Sequence, residues 1–157
     1  MASGVVAVVV FVVSLGIAGV GGCNIHELGH LITGRALAVP VDHITWCTPV
    51  NGRIAFSYQE PALVSYAGGF TAAITLGAVY RFLVWPRLAG PLWRAAGVAV
   101  LGTAVSQVIV GVMEGSSPQG YARAQENAWG LVLVVVLPLI AAALFQRRVG
   151  PSARPGG

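Results

Sequence analysis

The sequence predicts an all-α polytopic membrane protein with about four transmembrane helices and a short β-hairpin between the first and the second. Of its 157 residues, 56% are hydrophobic and only 9% are charged, so a soluble core is not expected. Its apolar segments are long enough to cross a hydrocarbon layer of about 30 Å. Two alternating stretches flank Asn51-Gly52, which is a typical hairpin pattern. A multi-pass protein of the cell membrane is therefore predicted.

The basic residues of the chain are all arginines. The formal net charge is +4, with nine arginines and no lysine. The arginines lie between and after the apolar segments, where they act as signals for membrane orientation. The lipid bilayer is therefore an expected partner, and nucleic acid is not.

The two cysteines, Cys23 and Cys47, form no C-x-x-C pair. From this spacing neither a zinc knuckle nor a disulfide framework is predicted, and the redox compartment stays undetermined. Cys23 would share a helix face with His26 and His30. A buried packing role for Cys23 is favoured, and a role as metal ligand is the alternative.

The first apolar segment runs from Gly4 to Gly22 and is long enough to span a membrane. No basic region precedes it, so it is expected to stay in the mature protein rather than act as a secretory signal. Glycines near its end can permit a kink or the close approach of a neighbouring helix. The helix is expected to continue to about Ala38 and to end before Pro40, because a residue before proline avoids the α region.

Within this helix, His26, Glu27 and His30 form the pattern H-E-x-x-H. The two imidazoles are expected one turn apart on one face, close enough to bind one zinc ion. Zinc held by two histidines and one further ligand keeps a position for water and lowers the pKa of that water to about 7. Glu27 can then accept the proton as the water attacks a carbonyl group. The alternatives are a chance match and a structural polar cluster, which the apolar surroundings disfavour.

Residues 41–60 have the alternating pattern of a hairpin. Ile44 and Trp46 alternate with polar residues before Asn51-Gly52, and a second alternating run follows. The second run is either an edge strand that binds an extended substrate through main-chain hydrogen bonds or a connector at the membrane surface. The candidate substrate-binding residues are Ile54, Phe56 and Tyr58.

A second span is predicted from about Ala62 to Trp85 and a third from about Leu92 to Met113. In the second, Gly69, Ala73 and Gly77 recur every four residues. This spacing lets two helices approach closely in lipid, and the helix with the metal motif is the expected partner.

The third zinc ligand must come from the acidic residues outside the motif. Glu114 is favoured because it ends an apolar helix whose polar stripe is expected to face the bundle interior. An exposed role for Glu114 is the alternative, with Glu126 or Asp42 as the ligand. The stripe consists of Thr103, Gln107, Gly111 and Glu114.

The remaining segments complete the predicted organisation. Gly115 to Asn127 has the composition of a loop, and Ala128 to Phe145 is predicted to be the fourth span. Residues 1–146 then form a single transmembrane core. Residues 147–157, which begin with Arg147 and Arg148, form a basic and disordered tail.

Two stretches carry a resemblance to a known family. The apolar helix that runs into His-Glu-Leu-Gly-His and the glycine-rich helix that begins Ser65-Tyr66-Ala67-Gly68-Gly69 resemble the site-2 protease family of intramembrane zinc metalloproteases. The resemblance covers roughly residues 5–115. It implies zinc as cofactor, a membrane protein as substrate, and hydrolysis of peptide bonds in or near its transmembrane segments.

The resemblance also implies residue roles. His26 and His30 would be zinc ligands and Glu27 the catalytic base. The family has a Leu-Asp-Gly motif on a later helix, and Met113-Glu114-Gly115 occupies the corresponding place, with Glu114 as the third ligand. The family's regulatory domains do not fit in 157 residues.

The positions of the arginines predict the orientation of the chain. The second loop and the tail carry six arginines, whereas the first and third loops carry three together with acidic residues. This count predicts cytoplasmic termini and a metal site toward the outer face, although many members of the family have the opposite orientation.

Two other classes of function stay open from the sequence. One is a membrane-bound zinc protease whose active site opens to a soluble chamber. The other is a noncatalytic membrane adaptor that retains the H-E-x-x-H motif without a complete metal site.

Overall fold

The computed structural model describes residues 2–48, 52–57 and 61–149, and the described chain is mostly helical. Four of its helical stretches are long and apolar enough to cross a membrane, as the sequence predicts. A two-stranded antiparallel sheet lies between the first and the second stretch, which confirms the hairpin. The elements are α1 (Ala2–Ala36), β1 (Val41–Thr45), β2 (Arg53–Phe56), α2 (Ala62–Val79), α3 (Pro91–Ser116), α4 (Pro118–Gln125), α5 (Ala128–Leu131) and α6 (Leu137–Val149).

Two of the long stretches combine several helical forms. Helix α2 continues through a π-helical turn at Tyr80–Val84 and a 3₁₀ turn at Trp85–Arg87. In the fourth stretch a π-helical segment, Val132–Val136, joins α5 to α6. The second and fourth candidate spans are thus Ala62–Arg87 and Ala128–Val149.

Helix α1 is continuous over 35 residues. Of the glycines before the metal motif, Gly22 is the one approached by its neighbours, since a Cβ there would lie 3.1 Å from Cδ1 of Leu76. The helix ends at Ala36, two residues earlier than predicted, because Ala38 adopts a left-handed conformation with φ of 56°. The N–H of Val39 then donates to the carbonyl of Gly34 at 2.9 Å, as in a Schellman motif.

Helices α1, α2 and α3 pack against one another, and α6 packs on α3. Gly69 of α2 lies against the backbone of Gly111 in α3, while Gly77 has open space around it. The prediction that the small-residue stripe of α2 packs on the metal-motif helix is therefore wrong. Helix α1 instead approaches α2 at Gly29, where a Cβ would lie 2.7 Å from the carbonyl oxygen of Ala67.

The hairpin differs from the expected form in its turn. Thr45 pairs with Arg53, so the connection between the paired strands has the length of residues 46–52 rather than of two residues. The ladder also has an irregularity between Val41 and His43. Asn51 and Tyr58 lie outside the described residues.

Two predicted boundaries are wrong. The expected loop after the third span contains helix α4, which Pro118 can begin because proline suits the first turn and which good helix formers continue. Helix α6 extends to Val149, so Arg147 and Arg148 occupy its last turn rather than a tail. Cations are favourable there because they face the negative end of the helix dipole. Residues 150–157 of the predicted tail lie outside the described chain.

Candidate metal centre

The H-E-x-x-H motif and Glu114 meet at one end of the helix bundle, where α1 and α3 end and α2 begins. The Nε2 atoms of His26 and His30 are 2.9 Å apart. Oε2 of Glu114 lies 2.9 Å from Nε2 of His26 and 3.6 Å from Nε2 of His30. His26, His30 and Glu114 thus bring three potential ligand atoms to one point.

Hydrogen bonds from neighbouring helices orient both imidazoles. Nδ1 of His30 lies 2.7 Å from the carbonyl oxygen of Val64 in α2. Because a carbonyl oxygen only accepts, Nδ1 of His30 must carry the proton, and Nε2 of the neutral ring keeps its lone pair. Nδ1 of His26 is 2.8 Å from Oε1 of Gln107 in α3, which favours the same tautomer. Such hydrogen bonds typically orient metal-binding histidines.

This arrangement leaves three acceptor atoms facing one another. Oε2 of Glu114 is buried without a hydrogen-bond partner among the described residues. A cation at the centre would satisfy all three acceptors. In a tetrahedral zinc site with bonds of about 2.0–2.1 Å, ligand atoms stand about 3.3 Å apart. The observed separations of 2.9, 2.9 and 3.6 Å lie on both sides of this value, so the donor set fits zinc.

Glu27 lies beside the three residues and is 7% exposed. The backbone of Ile54 in β2 forms a hydrogen bond to its carboxylate. Glu27 also borders a cavity of about 730 Å³ that His26 and Glu114 share. The Glu27 carboxylate therefore lines the same cavity as two of the three candidate ligands, His26 and Glu114. The cavity is lined by Cys23, His26, Glu27, Thr45, Gly52, Arg53, Gln107, Val110, Glu114, Tyr121 and Ala122.

The structure places the candidate substrate-binding strand against the protein rather than toward open solvent. Ile54 is buried, and its backbone contacts Glu27. The ring of Phe56 lies against Gly34 and anchors the hairpin on α1. Tyr58, the third predicted residue, lies outside the described chain.

The other predicted acidic ligands lie away from the histidines. Asp42 is exposed on β1 and accepts a hydrogen bond of 2.5 Å from the Ser57 hydroxyl. Glu126 is exposed after α4. Neither belongs to a group of potential ligand atoms in the described residues, whereas Glu114 does.

Cys23 and Cys47 form a disulfide, so the expectation of no disulfide is wrong. The two cysteines are 24 residues apart, and their Cα atoms are 6.0 Å apart because the loop after β1 folds back onto α1. The side chain of Asn24 binds the backbone of Cys47 twice, accepting from its N–H at 3.0 Å and donating to its carbonyl at 3.2 Å. The loop is therefore fastened beside Glu27, and neither sulfur serves as a metal ligand in this state.

The sequence did not predict several contacts that support the site. Gly68 belongs to the glycine-rich start of α2, and a Cβ there would strike Nε2 of His30 and come 2.7 Å from Cδ2 of His26. Gln107 belongs to the polar stripe of α3, but its contact with His26 does not follow from that stripe. Asn24 is not among the predicted site residues, and its only sequence signal is a polar side chain next to the motif in an apolar run.

The assembled group combines three side chains that could bind a metal ion, a neighbouring carboxylate and a cavity, an arrangement that is suited to metal-assisted hydrolysis. The chain matches no protein-family model, no curated protein and no solved structure.

Proposed function

We propose that the chain is a multi-pass membrane protein that acts as an intramembrane zinc metalloendopeptidase of the site-2 protease type. The observation that supports this most is the convergence of His26, His30 and Glu114 through acceptor atoms, with Glu27 on the same cavity. Four helices of sufficient length and apolarity support the membrane location. The substrate would be a peptide bond in or near a transmembrane segment of another protein.

His26, His30 and Glu114 would hold the zinc ion. Bound zinc supplies a Lewis acid that lowers the pKa of a coordinated water and polarises a carbonyl group. Glu27 accepts a proton from the attacking water and returns it to the nitrogen of the leaving amine. Gln107 and the carbonyl of Val64 keep the two imidazoles oriented with Nε2 toward the metal.

The location of the site explains why the chain needs a polar cavity. A peptide bond inside a helix is shielded and its carbonyl is already hydrogen-bonded, so a membrane-spanning substrate must unwind before hydrolysis. The freed backbone groups then need polar partners that lipid does not offer. The cavity of about 730 Å³ between the hairpin, α3 and α4 offers such an environment.

One observation favours the noncatalytic adaptor as a second candidate. Nε2 of His26 lies 2.9 Å from Oε2 of Glu114, a distance at which an imidazolium with protons on both nitrogens could pair with the carboxylate without any metal. The chamber-type protease is less well supported because it needs a further helix with a glutamate ligand. Helix α4, which covers this end of the bundle, has the sequence PQGYARAQ and contains no acidic residue.

Metal analysis of the purified full-length protein tests the proposal. The parent is expected to contain one zinc per chain, and His26→Ala and Glu114→Ala are expected to lose it. Glu27→Gln should keep it, because Glu27 is the base and not a ligand. His43→Ala and Glu126→Ala are matched controls on exposed residues and should also retain zinc. A parent without zinc would contradict the protease and favour the adaptor.

Activity is tested with a single-span reporter protein co-reconstituted with the zinc-loaded enzyme. Glu27→Gln is expected to slow cleavage by about 10²–10⁴-fold, the usual contribution of a general base. Cleavage by Glu27→Gln at the parent's rate would contradict the role of Glu27.

A further inference from the structure

We propose that the metal centre faces the oxidising, extracytoplasmic side of the membrane and cleaves substrates near the outer ends of their transmembrane segments. The part concerning substrates rests on the proposed protease function, whereas the orientation does not. Two independent features support the orientation: the disulfide beside the metal centre and the distribution of arginines over the two ends of the bundle.

The disulfide marks the compartment that this end of the bundle faces. Cys23 is three residues before His26, and the bond to Cys47 fastens the loop after β1 next to Glu27. Disulfides persist in secreted, periplasmic and extracellular locations and are rare in the reducing cytosol. The bond is supported by the local structure, since the N–H of Gly52 donates to Sγ of Cys47 at 3.2 Å and Asn24 binds the Cys47 backbone. We therefore place the metal end on the oxidising side.

The distribution of the arginines predicts the same orientation through a different physical effect. The ends of α1 and α3 and the start of α2 meet at the metal centre. Gln146 of α6 lies against Gly97 near the start of α3, so successive helix ends alternate between the two sides of the bundle. Among the described residues, five arginines belong to the end opposite the metal centre, and three belong to the metal end together with the exposed acidic residues Asp42 and Glu126. Because arginine-rich segments stay in the cytoplasm, the metal end lies outside. The five are Arg81, Arg87, Arg94, Arg147 and Arg148, and the three are Arg35, Arg53 and Arg123.

The reverse orientation would violate both rules together. It would place the Cys23–Cys47 bond in a compartment that reduces disulfides, and it would place five arginines on the outer side, to which arginine-rich segments are rarely translocated. The continuous helix α1 also removes the possibility that a break at its glycines changes the number of crossings.

The depth of the site follows from helix lengths. Helix α1 has 35 residues, which corresponds to about 52 Å and exceeds a hydrocarbon thickness of about 30 Å. His30 is six residues before Ala36, or about 9 Å from the helix end. Glu114 is two residues before the end of α3. The metal centre therefore lies near the outer boundary of the membrane, and a substrate bond must reach that level.

Thiol labelling of the full-length protein in the plasma membrane of a bacterial host tests the orientation. Ala128→Cys lies at the metal end of the bundle. Ala89→Cys lies at the opposite end, which holds most of the arginines and is called the arginine end. Both residues are exposed. The natural cysteines are bonded to each other, so only the new thiol reacts. A membrane-impermeant maleimide is expected to label Ala128→Cys on intact cells and Ala89→Cys only after permeabilisation. The reverse pattern, or equal labelling of both on intact cells, would overturn the orientation.

The unsubstituted protein and Cys47→Ser test the disulfide separately. The former is expected to react with maleimide only after reduction, and Cys47→Ser should react without reductant through Cys23. Reaction of the unsubstituted protein without reductant would overturn the part of the inference that rests on the disulfide.

Two single-span reporters co-expressed with the enzyme test the substrate part. They share one sequence, with the same helix-breaking Gly-Pro pair placed at the outer end of the span in one and at the inner end in the other. Cleavage of the outer-end reporter alone, absent with Glu27→Gln, is the expected result. Cleavage of the inner-end reporter would overturn the claim that substrates are cut near their outer ends, but it would be consistent with protease activity. If neither reporter is cleaved while the thiol labelling is as expected, the proposed protease activity is overturned and the proposed orientation stands.

Discussion

The two ends of the helix bundle are built in opposite ways. At the arginine end, Tyr80, Val84 and Leu88 form a buried apolar cluster, with Trp85 packed against it. At the metal end, the buried side chains include His26, Glu27 and His30. Burial of apolar side chains stabilises the arginine end, whereas burial of these polar side chains at the metal end costs free energy.

The hydrogen bonds at the two ends also differ in their sequence range. Arg87 donates through Nη1 to the carbonyl of Leu83, four residues away, at 2.6 Å, and Arg94 donates through Nε to the carbonyl of Leu88, six residues away, at 2.9 Å. At the metal end, His26 bonds to a residue 81 positions away and His30 to one 34 positions away. Arg87 and Arg94 thus bond to carbonyl groups that are near them in the sequence, whereas the metal end is complete only when three helices have assembled.

The largest effect is expected from Gly68→Ala, which should disrupt the metal centre without disturbing the arginine end. The new Cβ would strike Nε2 of His30, so the imidazoles must separate and the zinc stoichiometry of the purified protein should fall toward zero. Gly77→Ala on the same helix is the matched control, because nothing lies within 4 Å of a Cβ there. Parent zinc content in Gly68→Ala would contradict the close contact.

Leu88→Ala should destabilise the packing of the arginine end and leave the metal centre intact. Leu88 is 1% exposed, and removing a buried leucine side chain typically costs about 2–5 kcal/mol. Thermal unfolding in detergent should show the loss of stability, while zinc content stays at the parent value. The control is Leu83→Ala, since Leu83 is 55% exposed. A loss of zinc in folded Leu88→Ala would show that the two ends are coupled.

Gln107→Leu removes one of the long-range hydrogen bonds at the metal end. Loss of such a partner of a metal ligand typically lowers metal affinity about 10–100-fold, and His26 would lose its fixed orientation. Competition against a zinc chelator measures the change. Gln119→Leu on the exposed surface of α4 should leave the affinity unchanged. Equal affinities of Gln107→Leu and the parent would rule out a supporting role for Gln107.

The smallest effect is expected at the turn that leads from α1 to the hairpin. Ala38 has a φ of 56°, a conformation that costs an ordinary residue about 1–2 kcal/mol and glycine little. Ala38→Gly is therefore expected to raise stability by up to about 1 kcal/mol, after the entropic cost of glycine is subtracted. Ala36→Gly, at the last helical residue of α1, should have the opposite sign. Thermal unfolding in detergent distinguishes them, and destabilisation by Ala38→Gly would contradict the assigned conformation.

The site was only partly predictable. His26 and His30 are neighbours because helical geometry places positions i and i+4 on one face, whatever surrounds them. Glu114 was one of several acidic candidates, and only the packing of α3 brings its carboxylate to the imidazoles while Asp42 and Glu126 stay away. The disulfide escaped prediction because Cys23 and Cys47 meet through a fold of the intervening chain that no local pattern encodes.

Local sequence patterns predict the four long apolar helices, the hairpin and the paired histidines, because hydrophobic length, alternation and helical spacing act over one to a few turns. Three further features depend on how the helices pack: Gly69 contacts α3 rather than α1, Gln107 and Val64 orient the imidazoles, and Cys47 reaches Cys23. These contacts join elements that are distant along the chain. They depend on how side chains of different helices fit together in three dimensions, which no short stretch of sequence specifies.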